Sequence, residues 1–154
     1  MEAGSRIRWV CKPFGELNVH ELYQLLQLRI NVFVVEQDCP YPDADGKDLH
    51  CDHLCGYIGQ QLAAYARLVP EGISYKGYVS VGRVVVDASC RGLQAGRALM
   101  EQALQLLKEK YPGMPVKISA QLYLKVFYES FGFMVAGAEY LEDNIPHIAM
   151  ILEG

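Results

Sequence analysis

The chain has 154 residues, 51% of them hydrophobic and 21% charged, with a formal net charge of -4. That length supports a real core and the composition is globular, which excludes disordered and fibrous classes. The acidic balance argues against general nucleic-acid binding, which shows as a basic face. No apolar run approaches membrane-spanning length, and the opening MEAGSRIRWVCK lacks the apolar centre of a secretory signal. The expectation is one domain over residues 1–154, cytoplasmic, with no membrane or nucleic-acid partner; a homodimer is left open. Cys11, Cys39, Cys51, Cys55 and Cys90 make no even framework and read as free thiols in a reducing compartment.

In chain order, Ile7 to Val10 reads as a short strand. Asn18-Val19-His20-Glu21 has capping-box spacing, and apolar residues at helical intervals predict a helix over 19–34. A polar, Pro- and Asp-rich connection covers Glu36 to Asp52. Leu54 to Ile58 and Leu62 to Val69 form a predicted hairpin about Gly59-Gln60-Gln61. After a loop over Glu71 to Gly77, the β-branched run Val79 to Val86 reads as a central strand buried on both faces. A helix follows from Gly96 to about Lys110, with Leu99, Ala103, Leu106 and Leu107 inward, and ends at Tyr111-Pro112-Gly113. Val116 to Ala120 is a strand, Leu122 to Phe131 a helix closed by Gly132, and Phe133 to Ala136 and His147 to Leu152 are final strands. The fold class is α/β, a mixed, largely antiparallel sheet flanked by helices.

Between the Val79–Val86 strand and its following helix stands Arg91-Gly92-Leu93-Gln94-Ala95-Gly96-Arg97. A strand, a glycine-bearing turn and a helix start make an anion site, because free N–H groups point out of the first turn and the helix dipole favours negative charge there. Gly92 and Gly96 allow close approach to the main chain, and Arg91 and Arg97 bring donors suited to phosphate. No Gly-Lys-Ser/Thr follows, and no Gly-x-Gly-x-x-Gly is present, so neither a nucleoside triphosphate loop nor a dinucleotide fingerprint is supported. His50-Cys51-Asp52-His53-Leu54-Cys55 places Cys51, His53 and Cys55 on one face of an extended segment, but no second ligand pair accompanies it, and no metal site is expected.

The turn resembles the Arg/Gln-x-x-Gly-x-Gly/Ala pyrophosphate loop of the GNAT acetyltransferase superfamily, with Gln94 standing where that pattern has its middle glycine. Phe127-Tyr128-Glu129-Ser130-Phe131-Gly132-Phe133 is similar to the Phe-Tyr-x-x-x-Gly-Phe phrase near the end of GNAT domains. Leu25 to Gln37, Cys39-Pro40-Tyr41-Pro42 with Asp45-Gly46, and Ile145 to Met150 resemble the ElaA-like subfamily. A second departure is Leu122, where many GNAT helices carry asparagine. The resemblance implies the GNAT acyl-CoA N-acyltransferase fold and transfer of an acetyl group from acetyl-coenzyme A to an amine of a small molecule or peptide. It also implies that Arg91, Gly92, Leu93, Gln94, Ala95, Gly96 and Arg97 hold the pyrophosphate, that the main chain of Val84, Val85 and Val86 pairs with the pantetheine, and that Tyr128 protonates the leaving thiolate. The residues themselves leave the base open among Glu36, His53, His147 and bulk solvent. In the acidic connection, Glu36 and Asp45 are the candidates for drawing in a cationic amine. The competing reading is a GNAT-fold module that binds acyl-coenzyme A without catalysis.

Overall fold

The computed structural model describes residues 6–92 and 94–154. Eight strands run β1 (Arg8–Pro13), β2 (Asp52–Ile58), β3 (Gln61–Val69), β4 (Ser80–Val86), β5 (Val116–Gln121), β6 (Met134–Val135), β7 (Tyr140–Glu142) and β8 (Ile145–Leu152), with helices α1 (Val19–Arg29), α2 (Ala95–Lys110) and α3 (Lys125–Glu129). Strands β1-β2-β3-β4 form one antiparallel sheet. A second antiparallel sheet has β8 at its centre, β5 on one side, and β6 and β7 successively along the other. Among the described residues the two sheets are joined by a parallel bridge between Val79 and Val116, where the Val79 N–H donates to Pro115 O and the Lys117 N–H to Val79 O. Beyond that bridge, β4 and β5 part.

Strand β3 shows why the first sheet needs a helix on each face. Its residues alternate sides, as a strand requires. Ala64, Ala66 and Leu68 join Leu99, Met100, Ala103 and Leu107 of α2 in one cluster. Tyr65 joins Leu25 and Leu28 of α1 in the other. On the same sheet Gly56 is required by packing, since a Cβ there would stand 2.5 Å from the Trp9 ring.

Three elements differ from expectation. The Asn18–Glu21 capping box forms, with Glu21 N–H to Asn18 Oδ1 at 2.8 Å and Asn18 N–H to Glu21 Oε1 at 2.9 Å, but the α-helix changes to π-helix over Ile30–Glu36. There the Gln37 and Cys39 N–H groups bond back to Val32 and Val34 carbonyls, which swings the end of the helix toward the opening between the sheets. The Val79–Val86 run is an edge strand, with Val84 and Val86 only half-buried; its β-branched residues wall a cleft instead of filling a core. Finally, β7 was not foreseen. It pairs with β8 through Asp143-Asn144, both at positive φ, the two-residue turn that matches strand twist and favours Asn and Asp.

Candidate active site

The site begins where β4 is irregular. Gly82 pairs with Arg67 but Val85 pairs with Tyr65, so Arg83 and Val84 stand opposite Ala66 alone. This bulge, with Arg83 at φ 50°, bends the strand and turns its free edge away from β5. Val84, Val85 and Val86 therefore line the cavity between the sheets, of about 780 Å³.

Helix α2 starts at this cavity. Its N-cap, Gln94, is left-handed (φ 59°) and gives no side-chain cap. The first N–H to bond back is that of Ala98, to Gln94 O at 3.1 Å. The amides of Ala95, Gly96 and Arg97 thus keep their donors at the positive end of a 16-residue helix. Gly92, at φ +82° with nothing within 4 Å of where a Cβ would stand, leaves the turn open. Arg91 closes an ion pair across the cavity mouth with Glu36 at 2.5 Å and donates through Nε to Val86 O. Arg97 donates to Ser130 Oγ and lies over the Phe131 ring at 4.5 Å.

Tyr128, on α3, also lines the cavity and is otherwise 6% exposed. Edge contacts from Phe127 and Phe133 hold its ring. Burial, with a smaller contribution from nearby Tyr123, pushes the phenol up to about 12, so it keeps its proton throughout the neutral range. The β7–β8 hairpin supplies Glu142, Asp143 and His147 to the same cavity. His147 Nδ1 is 2.6 Å from Ile145 O. A carbonyl only accepts, so Nδ1 carries the proton, and the lone pair of the uncharged imidazole form is the one on Nε2.

The domain model described as an acetyltransferase (GNAT) domain matches residues 51–153. The protein ElaA of Escherichia coli is 44% identical over 149 residues, covering 96% of this chain and 97% of its own. A UPF0039 protein of Schizosaccharomyces pombe is 45% identical over 151 residues, covering 97% and 99%. The chain belongs to the GNAT superfamily, in its ElaA-like branch. Among solved structures, an acyl-CoA N-acyltransferase from Pseudomonas aeruginosa superposes on this ElaA-like chain with a TM-score of 0.90 at 45% identity, over 94% of this chain and 98% of that one. Escherichia coli ElaA gives 0.89 at 43% identity, over 96% and 99%. The fold is therefore the acyl-CoA N-acyltransferase fold.

In this ElaA-like domain the cavity gathers Glu36, Val84, Val85, Val86, Arg91, Gly92, Gln94, Ala95, Gly96, Arg97, Tyr128 and His147, all of them expected site residues. Leu93 lies outside the described residues. Two candidates are placed elsewhere. His53 is fully buried on β2, with Nε2 at 2.9 Å from Asp48 O and Nδ1 at 2.6 Å from Tyr65 Oη. Nε2–H donates to the carbonyl and Nδ1 accepts from the phenol, so both nitrogens are used and no lone pair remains for a substrate. Burial also lowers its proton affinity. His53 is thus bonded at both ring nitrogens within the fold and stands outside the cavity.

Asp45 also stands outside the cavity. Its carboxylate takes Arg67 at 2.6 and 2.8 Å and Arg83 at 3.3 Å. It belongs to a lattice, buried at its centre, in which Arg29, fully buried, holds Asp43 and Asp48, and Asp48 also meets Arg67. The Asp43–Asp48 part of the acidic connection is thus a tether, while Glu36 stands at the cavity. Glu142 was missed, although Asp143-Asn144 signals the turn that places it. Nothing local marked Cys39 as a lining residue, whose Sγ donates to Asp143 O, 104 residues away.

Proposed function

We propose that this chain is an N-acetyltransferase that moves an acetyl group from acetyl-coenzyme A to a primary amine of a small molecule or peptide. The observation that carries this reading is the uncapped start of α2 opening into the same cleft as the protonated phenol of Tyr128. The residues present fit the cosubstrate. A helix N-terminus with no side-chain cap is a ready diphosphate cradle, Gly92 leaves it unobstructed, and the parted edge of β4 offers main-chain groups to an amide-bearing arm. The related protein from Pseudomonas aeruginosa is itself described as an acyl-CoA N-acyltransferase.

When bound, acetyl-coenzyme A supplies an activated acyl carbonyl with a thiolate as leaving group. The Ala95, Gly96 and Arg97 amides hold the diphosphate, and Tyr128 Oη gives its proton at the departing sulfur. Of the base candidates within the cavity, Glu36 is engaged by Arg91 while His147 Nε2 keeps its lone pair. His147 is the proton acceptor in this reading.

Calorimetry with coenzyme A followed by a thiol-release assay over a panel of primary amines tests it. Binding together with amine-dependent thiol release is expected. Absence of heat from well-folded protein overturns the reading, and tight binding with no turnover on any amine would instead support the non-catalytic module.

A further inference from the structure

The β7–β8 hairpin sets Glu142, which has no part in the acetyl-transfer reading so far, beside His147, the proton acceptor of that reading. His147 is more than nine-tenths buried, and its Nε2 makes no hydrogen bond among the described residues. That nitrogen faces Glu142 Oε2 at 3.5 Å, too long for a good hydrogen bond and an ion pair only when the ring is protonated. Glu142 is half-exposed at the cavity, so its carboxylate is reachable from solvent while the imidazole is seated behind it. The Tyr140 ring stacks on His147 and its hydroxyl is held by Ser119, which fixes the imidazole plane. Asp143 in the turn and Cys39, whose Sγ donates to the Asp143 carbonyl, line the same cavity, Tyr75 lies near Tyr140 and Glu142, and Ser119 Oγ stands 3.5 Å from Glu142 Oε1. From β5 the register partner is neutral Gln121.

The charges that line the cavity are divided. Arg91 and Arg97 stand at the start of α2. Arg83, the remaining arginine of the lining, is already paired, with Nε 2.9 Å from Asp43 Oδ1 and Nη2 3.3 Å from Asp45 Oδ2. The hairpin thus presents an accessible carboxylate and an imidazole nitrogen; among the described residues no arginine or lysine is ion-paired with Glu142, and Lys117 of β5 lies over the Tyr75 and Tyr78 rings.

Resting on the acetyl-transfer reading, we propose that Glu142 and His147 form the ammonium subsite for the acceptor. Glu142 binds the amine as its cation, and His147 Nε2 takes one proton from it. The ammonium becomes an amine with a free lone pair, and the imidazole becomes an imidazolium paired with Glu142. The Glu142 carboxylate repels a carboxylate carried on the carbon that bears the amino group. The acceptor class is therefore a cationic alkyl or peptidyl amine with no carboxylate on that carbon, and α-amino acids are rejected at their α-amino group.

The test is amine binding to coenzyme A-saturated protein, with pentylamine and norleucine as a matched pair differing in the α-carboxylate. Calorimetry near pH 7 keeps pentylamine a cation. Pentylamine is expected to bind at least tenfold more tightly than norleucine, and Glu142→Gln to weaken it at least tenfold while coenzyme A affinity stays within twofold. The His147 Nε2 nitrogen resonance should move on adding pentylamine, and His147→Gln should lower kcat more than it raises the amine KM. Glu142 is half-exposed, so the Gln variant tests charge without emptying a core site. Equal binding of the two ligands, or a Glu142→Gln dissociation constant within twofold of wild type, overturns the inference and leaves acetyl transfer standing. No heat with coenzyme A removes both.

Discussion

At the scale of single residues, burial decides what each titratable group can do. Tyr128 and His53 are both buried, yet only Tyr128 opens into the cleft. Its phenol, pushed up to about 12, is a proton donor at neutral pH. Tyr128→Phe keeps the ring and its aromatic contacts but removes that proton. We expect kcat to fall about 100-fold, the scale of general-acid catalysis, with the coenzyme A dissociation constant within twofold. An unchanged kcat in a thiol-release assay would count against the acid role. His53→Ala should behave in the opposite way. It strands the buried Asp48 carbonyl and Tyr65 hydroxyl and opens a void, which together cost about 3 kcal/mol. Urea unfolding measures that loss, while coenzyme A binding by the folded protein is retained. Neither outcome can be argued from residue type, since the sequence shows two aromatic residues and an imidazole without saying which of their polar atoms are already bonded.

The element that organises the cleft is the turn into α2. Gln94 departs from the glycine of the family loop, but its backbone takes the left-handed conformation that a glycine adopts freely (φ 59°). The departure is one of side chain and not of path. Relief of left-handed strain is worth about 1–2 kcal/mol, against about 0.5–1 kcal/mol for the extra freedom a glycine loses on folding. Relief is the larger effect, so Gln94→Gly should raise stability by about 0.5–1 kcal/mol in urea titrations and leave coenzyme A affinity within twofold. A lower unfolding midpoint would show that the Gln94 side chain contributes contacts that outweigh the strain. The bulge in β4 belongs to this scale too. Nothing in Gly82-Arg83-Val84 states which residue is extra, because a bulge is defined only against the partner strand, and β3 lies more than ten residues away in the chain.

For the whole molecule, the Arg29–Asp43–Asp48–Arg67–Asp45–Arg83 lattice joins α1, the 36–52 connection, β3 and β4. Its pH behaviour has a definite sign. Asp45 and Asp48 are held below the usual carboxylate range: burial works to raise them, but hydrogen bonds and charge from Arg67 and Arg29 outweigh it. A depressed folded value contributes stability above the unfolded value of about 3.9, lost as pH falls below it. His53, lowered chiefly by burial, follows the same rule from its unfolded value of about 6.5. Stability should therefore decline in two windows, gently below about pH 6.5 and steeply below about pH 4, at up to about 1.4 kcal/mol per pH unit for each proton taken up. Urea midpoints at pH 7.5, 5.5 and 3.5 check this, and a flat profile down to pH 3.5 contradicts it.

Features that a short window encodes are legible without the fold. The capping box of α1, the β2–β3 hairpin, the strand-turn-helix around Gly92 and the aromatic stripe of α3 all rest on neighbours within a few residues. Together they were enough for fold and family. Which carboxylates are free and which imidazole keeps a lone pair was decided only by tertiary structure. Asp45 and Glu142 look alike in the chain. One is bound by Arg67, 22 residues away, and the other faces an open cleft. The reason is physical: an ionic group's chemistry is set by what remains unpaired around it after folding, and those pairings span the whole chain.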